Sequence, residues 1–377
     1  MTADVLQSRE LRSLVKPDLS LELSLHTVSV PEPGADEVLV RIEGAPINPT
    51  DLALLFGPAD LSSAICTGTD SEPVVTAAVP EKLKGVVQAR IGESLPAGFE
   101  GAGVVVGAGS SAAAQDLLGR TVAMTGDGMF SQYRCVPCRA VMVMEEGVTP
   151  REAASSFVNP MTALSMVETM RMDGHSALVH TAAASNLGQM LNRICLNEGI
   201  GLVNVVRSSE QEALLRGMGA EHVVNSTADD FRKQLTDTIA ATGATVAFDA
   251  TGGGRLGNTI LSCMERAAAR GQQFSRYGSE TFKQLYVYGR LDLTPMQLTA
   301  AYGFAWGVNG WLLSHFMARA GDELITSLKQ KIGREIRTTF ASHYAGELSL
   351  QEALSPERIA VYSRRATGKK YLINPNR

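Results

Sequence analysis

The sequence has few cysteines, no long apolar run and no excess of positive charge, and each absence excludes a class of protein. Five cysteines scattered over 377 residues are too few for a disulfide framework. No apolar run approaches the roughly 20 residues that cross a bilayer, and residues 1–14 lack the apolar core of a secretory signal. A net charge of −5 argues against a nucleic-acid partner. We therefore expect a cytoplasmic protein with neither a membrane nor a nucleic-acid partner.

The composition is that of a globular protein, with 45% hydrophobic and 19% charged residues, and the length suits two domains. Up to about residue 150 the chain is rich in predicted strands. Residues 37–43 alternate charged and apolar side chains, as a half-buried strand does. Residues 60–96 are rich in small residues and prolines, which predicts a long irregular surface insertion.

After Pro150 the pattern changes to strands and helices in alternation. Such alternation predicts an α/β fold with a parallel sheet covered by helices. From about residue 320 the chain again looks strand-like. The predicted strands are 177–181, 202–206, 222–224, 245–249 and 285–289, and the predicted helices are 151–171, 186–196, 209–218, 229–241 and 255–266.

The loop after the first of these strands has the composition of a dinucleotide-binding turn. Small residues let the backbone approach a pyrophosphate, whose charge is stabilised by the N-terminus of the following helix. The usual pattern is G-x-G-x-x-G. Ala183, Ser185 and Gly188 occupy the corresponding positions, so only the last glycine is present. An ordinary turn between strand and helix is the alternative.

Arg207 ends the second strand of this unit, about 20 residues past the loop, where an NAD site places an acidic residue for the ribose hydroxyls. A guanidinium followed by the hydroxyl of Ser208 suits the 2′-phosphate of NADPH instead. A solvated surface arginine is the alternative. The offset of Arg207 within a β-α-β unit favours the phosphate-binding role and makes NADPH the expected cofactor.

Taken in order, these and other segments resemble the zinc-independent medium-chain dehydrogenase/reductase superfamily, within it the NADPH:quinone oxidoreductases and the 2-enoyl thioester reductases. The resemblance covers nearly the whole chain. The segments that carry it are 47–51 (INPTD), 96–103 (PAGFEGAG), 159–163 (NPMTA), 185–189 (SNLGQ), 204–207 (NVVR), 219–223 (GAEHV), 249–253 (DATGG) and 367–370 (TGKK).

The resemblance implies a doubly wound Rossmann sheet inserted into a β-rich, GroES-like catalytic domain. Residues 1–158 and 316–377 would form the catalytic domain and residues 159–315 the NADP-binding domain, with the nicotinamide between them. It also implies a homodimer formed through the last strand of the Rossmann sheet. The residues expected to touch the cofactor are Thr162, Ala184, Ser185, Asn186, Leu187, Gly188, Arg207, Ser208, Thr251, Gly252, Tyr288 and Gly289.

No metal site is expected. Zinc-dependent members have a cysteine and a His-Glu pair where this chain has Asn48, Phe99 and Glu100. One carboxylate without a thiolate or an imidazole does not build a zinc site. Cys135 and Cys138 are interpreted as two ordinary thiols, with a structural metal or a redox role as the less favoured alternative.

Chemistry would therefore rest on the cofactor, with a hydride passing to a quinone or another conjugated carbonyl. The oxygen that gains charge needs a hydrogen-bond donor. Asn48 is the candidate, and bracing the turn before Pro49 is its alternative role. Tyr133 is a second catalytic candidate, with packing in the core as its alternative.

Two other functions remain open. The chain resembles enoyl thioester reductases but lacks their tyrosine proton donor, because Ala59 aligns there and no tyrosine precedes Tyr133. The 60–96 insertion lies where that pocket wall would be, and a second insertion spans about 272–284. The basic residues Arg364, Arg365, Lys369 and Lys370 would either meet a CoA phosphate or form a solvated face. The third hypothesis is a catalytically weak nucleotide-binding or structural protein that has lost turnover.

Overall fold

The computed structural model describes residues 5–364 and 367–377. It divides into two compact units, Met1–Val158 with Lys331–Arg377 and Asn159–Gln330. The second boundary falls later than the predicted one at 315/316 because the helix that follows residue 312 packs with the second unit, where Phe316 is buried and Arg319 pairs with Asp173. The assignment of the two parts as catalytic and NADP-binding domains stays a prediction.

The strands are β1 Gln7–Val15, β2 Ser20–Ser29, β3 Glu37–Pro46, β4 Asp60–Gly68, β5 Pro73–Ala78, β6 Ser94–Pro96, β7 Glu100–Ala108, β8 Thr121–Thr125, β9 Tyr133–Pro137, β10 Met142–Val143, β11 Ala177–His180, β12 Gly201–Val206, β13 Val223–Asn225, β14 Val246–Asp249, β15 Lys283–Val287, β16 Trp306–Gly310, β17 Gly346–Leu348 and β18 Tyr371–Ile373. The α-helices are α1 Pro49–Leu55, α2 Lys84–Val87, α3 Ala112–Gln115, α4 Pro150–Ala153, α5 Val158–Met172, α6 Asn186–Glu198, α7 Ser209–Gly217, α8 Phe231–Thr242, α9 Leu256–Ala268, α10 Leu313–Ala320, α11 Asp322–Glu335, α12 Leu350–Ala353 and α13 Pro356–Tyr362. Short 3-10 turns lie at Glu81–Leu83, Gln88–Arg90 and Cys138–Ala140.

The first unit is built from mainly antiparallel sheets whose inward faces share one core, with β17 and β18 as a parallel pair. One sheet has the order β4-β5-β2-β1-β6 and another the order β10-β8-β7-β3-β18-β17, with β9 pairing β3. Strand β3 shows why the sequence folds this way, since Val38, Val40 and Ile42 alternate with half-buried neighbours and are fully buried. β18 pairs with the end of β3, which brings the C-terminal segment beside the start of α1.

The second unit is a parallel sheet of order β13-β12-β11-β14-β15-β16, with a helix in each connection between consecutive strands except that from β15 to β16. The chain order reverses between β11 and β14, as in a doubly wound Rossmann sheet. Its strands are apolar on both faces, and β11, β14 and most of β12 are buried throughout. This architecture confirms the predicted fold class.

Residues 60–96 are not an irregular insertion, so that prediction is wrong. β4 and β5 form a hairpin that extends the first sheet, because β5 pairs antiparallel with β2 and buries Val75 and Ala77. β4 is an edge strand with mostly exposed side chains, so it has no apolar alternation to find in the sequence.

The expectation of strand-like structure from residue 320 is also wrong in part, because α11 occupies much of that segment. Ile325, Leu328 and Ile332 are buried and recur at helical spacing. The last strand of the parallel sheet is β16, which no prediction placed, and the strand expected at 285–289 begins earlier, as β15. No helix of the described residues is long and apolar enough to cross a membrane.

Candidate functional site

The loop between β11 and α6 is compact at its backbone. Ala182 has a φ of 53°, a left-handed conformation that favours glycine. Ser185 caps α6, since its Oγ accepts a hydrogen bond of 3.1 Å from Gly188 N. The loop therefore turns directly into the helix N-terminus, and Ala184 and Leu187 are buried within it.

Gly188 is the one position of the loop where a side chain cannot fit. A Cβ built there would lie 2.1 Å from the carbonyl oxygen of Ala183. Asn186 is the first residue of α6, so the predicted residues 184–188 run from the loop into the first turn of the helix. Their backbone forms the cradle that a phosphate group approaches at a helix N-terminus.

The second strand ends as predicted. β12 lies parallel to β11, which makes residues 177–207 a β-α-β unit. Arg207 follows β12 directly, with its side chain exposed and its backbone N–H donating to Gln211. Ser208 caps α7 by accepting a 3.3 Å hydrogen bond from Gln211 N.

A hydrogen-bonded latch joins the ends of β11 and β14. The fully buried Asp249 carboxylate accepts from Thr181 Oγ1 and Thr251 N, each at 2.8 Å, and from Gly252 N at 3.1 Å. Thr181 Oγ1 in turn accepts from Ala250 N at 2.8 Å. The latch fixes the Thr251-Gly252 turn at the point where the strand order reverses.

The chain segments that follow β14 and β15 pack closely against each other at their backbones. Gly252 has a φ of +68°, and a Cβ there would lie 2.2 Å from the carbonyl oxygen of Gly289. A Cβ on Gly289 would lie 2.6 Å from the carbonyl oxygen of Ala250. Both glycines are needed because the two chain segments touch backbone to backbone.

Tyr288 follows β15 and reaches the end of β11. Its hydroxyl lies 2.7 Å from Nε2 of His180, and the two rings stack with centroids 5.7 Å apart. His180 is fully buried, which lowers the pKa of its imidazole to about 3. Thr162, the other predicted contact in this unit, is a buried residue near the start of α5.

In the first unit, the predicted catalytic Asn48 belongs to a buried polar cluster. Its Nδ2 donates a hydrogen bond of 2.8 Å to Glu100 Oε1, and its backbone N–H donates to Asp51 Oδ2 at 2.7 Å. Only 1% of the Asn48 surface is exposed, and its Oδ1 has no hydrogen-bond partner among the described residues. Glu100 Oε2 accepts from the backbone N–H groups of Phe157 and Val158, at 3.1 and 2.8 Å.

The cluster carries more negative than positive charge. Burial raises the pKa of Asp51 to about 7, and the nearby Glu100 charge adds to the effect. Lys370 is the basic residue of the cluster. Its removal from water lowers its pKa, whereas the negative charges of Glu100 and Asp51 partly offset this effect. Its Nζ donates to the buried Ser155 Oγ at 2.8 Å, and Ser155 also lies 2.8 Å from the Tyr344 hydroxyl.

Lys370 is therefore not part of a solvated C-terminal face. Arg364 and Lys369 are exposed, and Arg365 lies outside the described residues. Tyr133, the second catalytic candidate, lies on β9 opposite Arg41 of β3 and is half-buried. It makes no contact with Asn48 among the hydrogen bonds of the described residues; its backbone N–H donates to Ser8.

Cys135 and Cys138 are free thiols at the end of β9 and in the turn after it. Burial and the neighbouring Glu37 raise the pKa of the Cys135 thiol to about 11, so this side chain is a protonated thiol near neutral pH. Over residues 5–364 and 367–377, no group of three or more histidine, cysteine or acidic side chains is arranged to hold a metal ion.

Sequence reasoning missed several residues that organise these sites, namely Asp51, Ser155, His180, Thr181, Asp249, Tyr344 and the role of Lys370. Most of these residues meet partners far apart in sequence, so no local pattern identifies them. Asp51 is different, because it accepts from the backbone N–H of Asn48 three residues earlier, in a helix-capping pattern. For Asp249 a signal was present, because an acidic residue at the end of a buried parallel strand needs donors at that sheet edge.

No protein-family model matches the chain. Bovine prostaglandin reductase-3 is 24% identical over 313 residues, which cover 81% of this chain and 72% of the reductase. The mitochondrial enoyl-[acyl-carrier-protein] reductase of Xenopus tropicalis is 29% identical over 219 residues, which cover 56% of this chain and 53% of that protein.

The crystal structure of Escherichia coli quinone oxidoreductase complexed with NADPH superposes with a TM-score of 0.69 at 16% identity, covering 98% of this chain and 100% of the other. At that identity the likeness establishes the fold. The sequence relatives and this structure are reductases of one superfamily, and they confirm that the chain resembles the medium-chain dehydrogenases/reductases in sequence and has their fold.

Proposed function

We propose that the chain is an NADPH-dependent, zinc-independent oxidoreductase that transfers a hydride to a quinone or another conjugated carbonyl. The observation that carries the proposal is the β11-α6-β12 unit, with its small-residue loop at the N-terminus of α6 and an exposed arginine directly after β12. The E. coli quinone oxidoreductase of the same fold was crystallised with NADPH.

The residues present fit that cofactor. The pyrophosphate would approach the backbone of residues 184–188, where Gly188 leaves no room for a side chain. The Arg207 guanidinium and the Ser208 hydroxyl would hold the 2′-phosphate, because a charged fork and a hydroxyl donor both suit phosphate oxygens. Thr162, Thr251, Gly252, Tyr288 and Gly289 are proposed as further contacts.

NADPH, when bound, would supply the hydride, and the protein would position the acceptor and supply a proton. Asn48 was the candidate donor to the substrate oxygen. Its near-complete burial and its hydrogen bond to Glu100 favour the other role, bracing the segment before Pro49. The half-buried position of Tyr133 within β9 likewise favours packing.

Reduction of an enoyl thioester is the second candidate, favoured by the similarity to the Xenopus enoyl reductase. Of the basic residues considered for a CoA phosphate, Arg364 and Lys369 are exposed, whereas Lys370 donates to Ser155 inside the first unit. A catalytically weak nucleotide-binding or structural protein is the third candidate.

Steady-state NADPH oxidation separates these three functions. Turnover with 9,10-phenanthrenequinone supports the proposal, and turnover with crotonyl-CoA alone supports the second candidate. NADPH binding without turnover of either compound supports the third. Failure to bind NADPH would refute the proposal.

The cofactor assignment has its own test in Arg207→Ala. Losing a charge-assisted hydrogen bond should weaken NADPH binding by about 1.5–3 kcal/mol, with little change for NADH. Arg216→Ala is the matched control, since Arg216 is an exposed arginine of α7 that pairs with Glu212. Equal losses for NADPH and NADH in a fluorescence titration would remove the assignment.

We also infer a cytoplasmic homodimer formed along β16. This strand is the edge of the parallel sheet, and exposed apolar side chains flank it in sequence, with Phe304 81% and Leu312 55% exposed. Sedimentation analysis of the purified protein tests the dimer, and a monomer at micromolar concentration would contradict it.

A further inference from the structure

The His180–Tyr288 pair spans the point where the strand order of the parallel sheet reverses. His180 is the last residue of β11, and Tyr288 comes directly after β15, while β14 lies between those two strands. The tyrosine therefore reaches across the carboxyl end of β14 to bring its hydroxyl 2.7 Å from His180 Nε2. Ligands of doubly wound sheets bind outside the carboxyl ends of the strands at this point.

The surroundings of His180 determine which ring nitrogen carries hydrogen. The ring is fully buried, and burial lowers its pKa to about 3, so the imidazole is neutral near pH 7 and has one N–H. Nδ1 has no hydrogen-bond partner among the described residues. A buried N–H without an acceptor is rarer and costlier than an acceptor left without a donor. The hydrogen therefore belongs on Nε2, which donates to the Tyr288 oxygen.

This arrangement leaves the Tyr288 O–H hydrogen for another acceptor. Burial and the Asp249 charge raise the pKa of the phenol, so the hydroxyl stays protonated. Among the described residues no hydrogen bond joins the Tyr288 hydroxyl to the Asp249 carboxylate, which accepts from Thr181, Thr251 and Gly252. Tyr288 is only half-buried, unlike His180.

We propose that the Tyr288 hydroxyl donates a hydrogen bond to a carbonyl oxygen of a ligand bound at the carboxyl end of the sheet, and that His180 is the positioning residue that keeps this hydroxyl a donor. The inference rests on the proposed function, which supplies two such oxygens, the carboxamide of the nicotinamide and the carbonyl of the substrate. Both present the same acceptor chemistry, and the experiment distinguishes them.

The tautomer can be measured without ligand or activity. Nitrogen-15 NMR of the histidine rings, with the His180 signals assigned by their loss in His180→Gln, should show a protonated Nε2 and a bare Nδ1 from about pH 6 to about pH 8. A protonated Nδ1 would overturn the inference, because Tyr288 would then donate to His180 and have no hydrogen to offer.

The contact itself is tested with Tyr288→Phe, using Tyr286→Phe as the control because the Tyr286 hydroxyl bonds Asp173 within the same unit. Loss of one neutral hydrogen bond should cost about fivefold to tenfold. A weaker Kd for NADPH, absent with thionicotinamide-NADPH, assigns the carboxamide as acceptor. An unchanged Kd with a lower kcat/KM for 9,10-phenanthrenequinone assigns the substrate carbonyl. No change in either quantity refutes the contact.

The role of His180 is tested by coupling. His180→Phe should show the same loss as Tyr288→Phe, and the double variant should lose no more than either single variant. His180→Gln can present an amide N–H in place of Nε2–H, so it should recover most of the loss even if His180→Phe folds poorly. Independent, multiplying losses would refute the positioning role. Wild-type protein that fails to bind NADPH would refute the proposed function, whereas normal wild-type binding with an unaffected Tyr288→Phe variant refutes only this inference.

Discussion

Replacing His180 should remove a defined part of the pH dependence of stability. The imidazole has a pKa of about 3 in the folded protein because it is fully buried, and an ordinary value of 6.5 when unfolded. The unfolded chain therefore binds the proton more tightly between these values. The stability that the neutral ring provides is complete above pH 6.5 and is lost as the pH falls toward 3. Between about pH 7 and about pH 5 the loss amounts to about 2 kcal/mol.

The assay is urea unfolding of wild-type protein and His180→Gln at both pH values, followed by circular dichroism. Glutamine does not titrate, so the variant should lose about 2 kcal/mol less than wild type over this interval, whatever its stability at about pH 7. Only the difference between the two pH dependences is used, so contributions from other titrating groups cancel. Parallel pH dependences would show that His180 titrates normally and is not buried as described.

Two further substitutions test the backbone cradle and the buried acid. Gly188→Ala should destabilise the second unit by about 1–3 kcal/mol and weaken NADPH binding, because its Cβ would lie 2.1 Å from a backbone oxygen. The control Gly217→Ala has open space around it and should stabilise the folded protein by up to about 1 kcal/mol. Equal effects of the two substitutions in thermal unfolding would contradict the close approach at Gly188. Asp51 has a pKa raised from 3.8 to about 7, so its contribution to stability is lost as pH rises through that range. Asp51→Asn should therefore gain about 2.5 kcal/mol on wild type between about pH 5 and about pH 8 in urea unfolding, and a constant difference would refute the raised pKa.

Where the fold was predictable, the signal was local and periodic. The β11-α6-β12 unit could be predicted because a buried apolar strand, a small-residue loop and an amphipathic helix follow one another. The β4-β5 hairpin was missed because its stabilising partner is β2, far back in the chain, and because its edge strand is exposed. α11 was missed although Ile325, Leu328 and Ile332 recur at helical spacing and are buried.

The candidate site was predictable only where one residue type carries the chemistry. Arg207 and Gly188 could be placed from their offsets in a β-α-β unit, and the structure has them at the expected positions. The Thr181–Asp249 bond and the His180–Tyr288 pair could not, because parallel strands bring together side chains from segments that no sequence pattern links, although the acidic end of β14 was itself a signal. Their roles in binding stay predictions.

The Asn48 cluster shows how a buried carboxylate is stabilised by donors of its own chain. Glu100 is 1% exposed, and its two oxygens accept from Asn48 Nδ2 and from the backbone N–H groups of Phe157 and Val158. A carboxylate that ligates a cation keeps lone pairs for the ion, whereas these are directed at N–H donors. The donors lie on the segment before α1 and at the start of α5, so Glu100 connects both to β7. Glu100 thus braces these segments through its hydrogen bonds, and a bracing role for Asn48 stays a prediction.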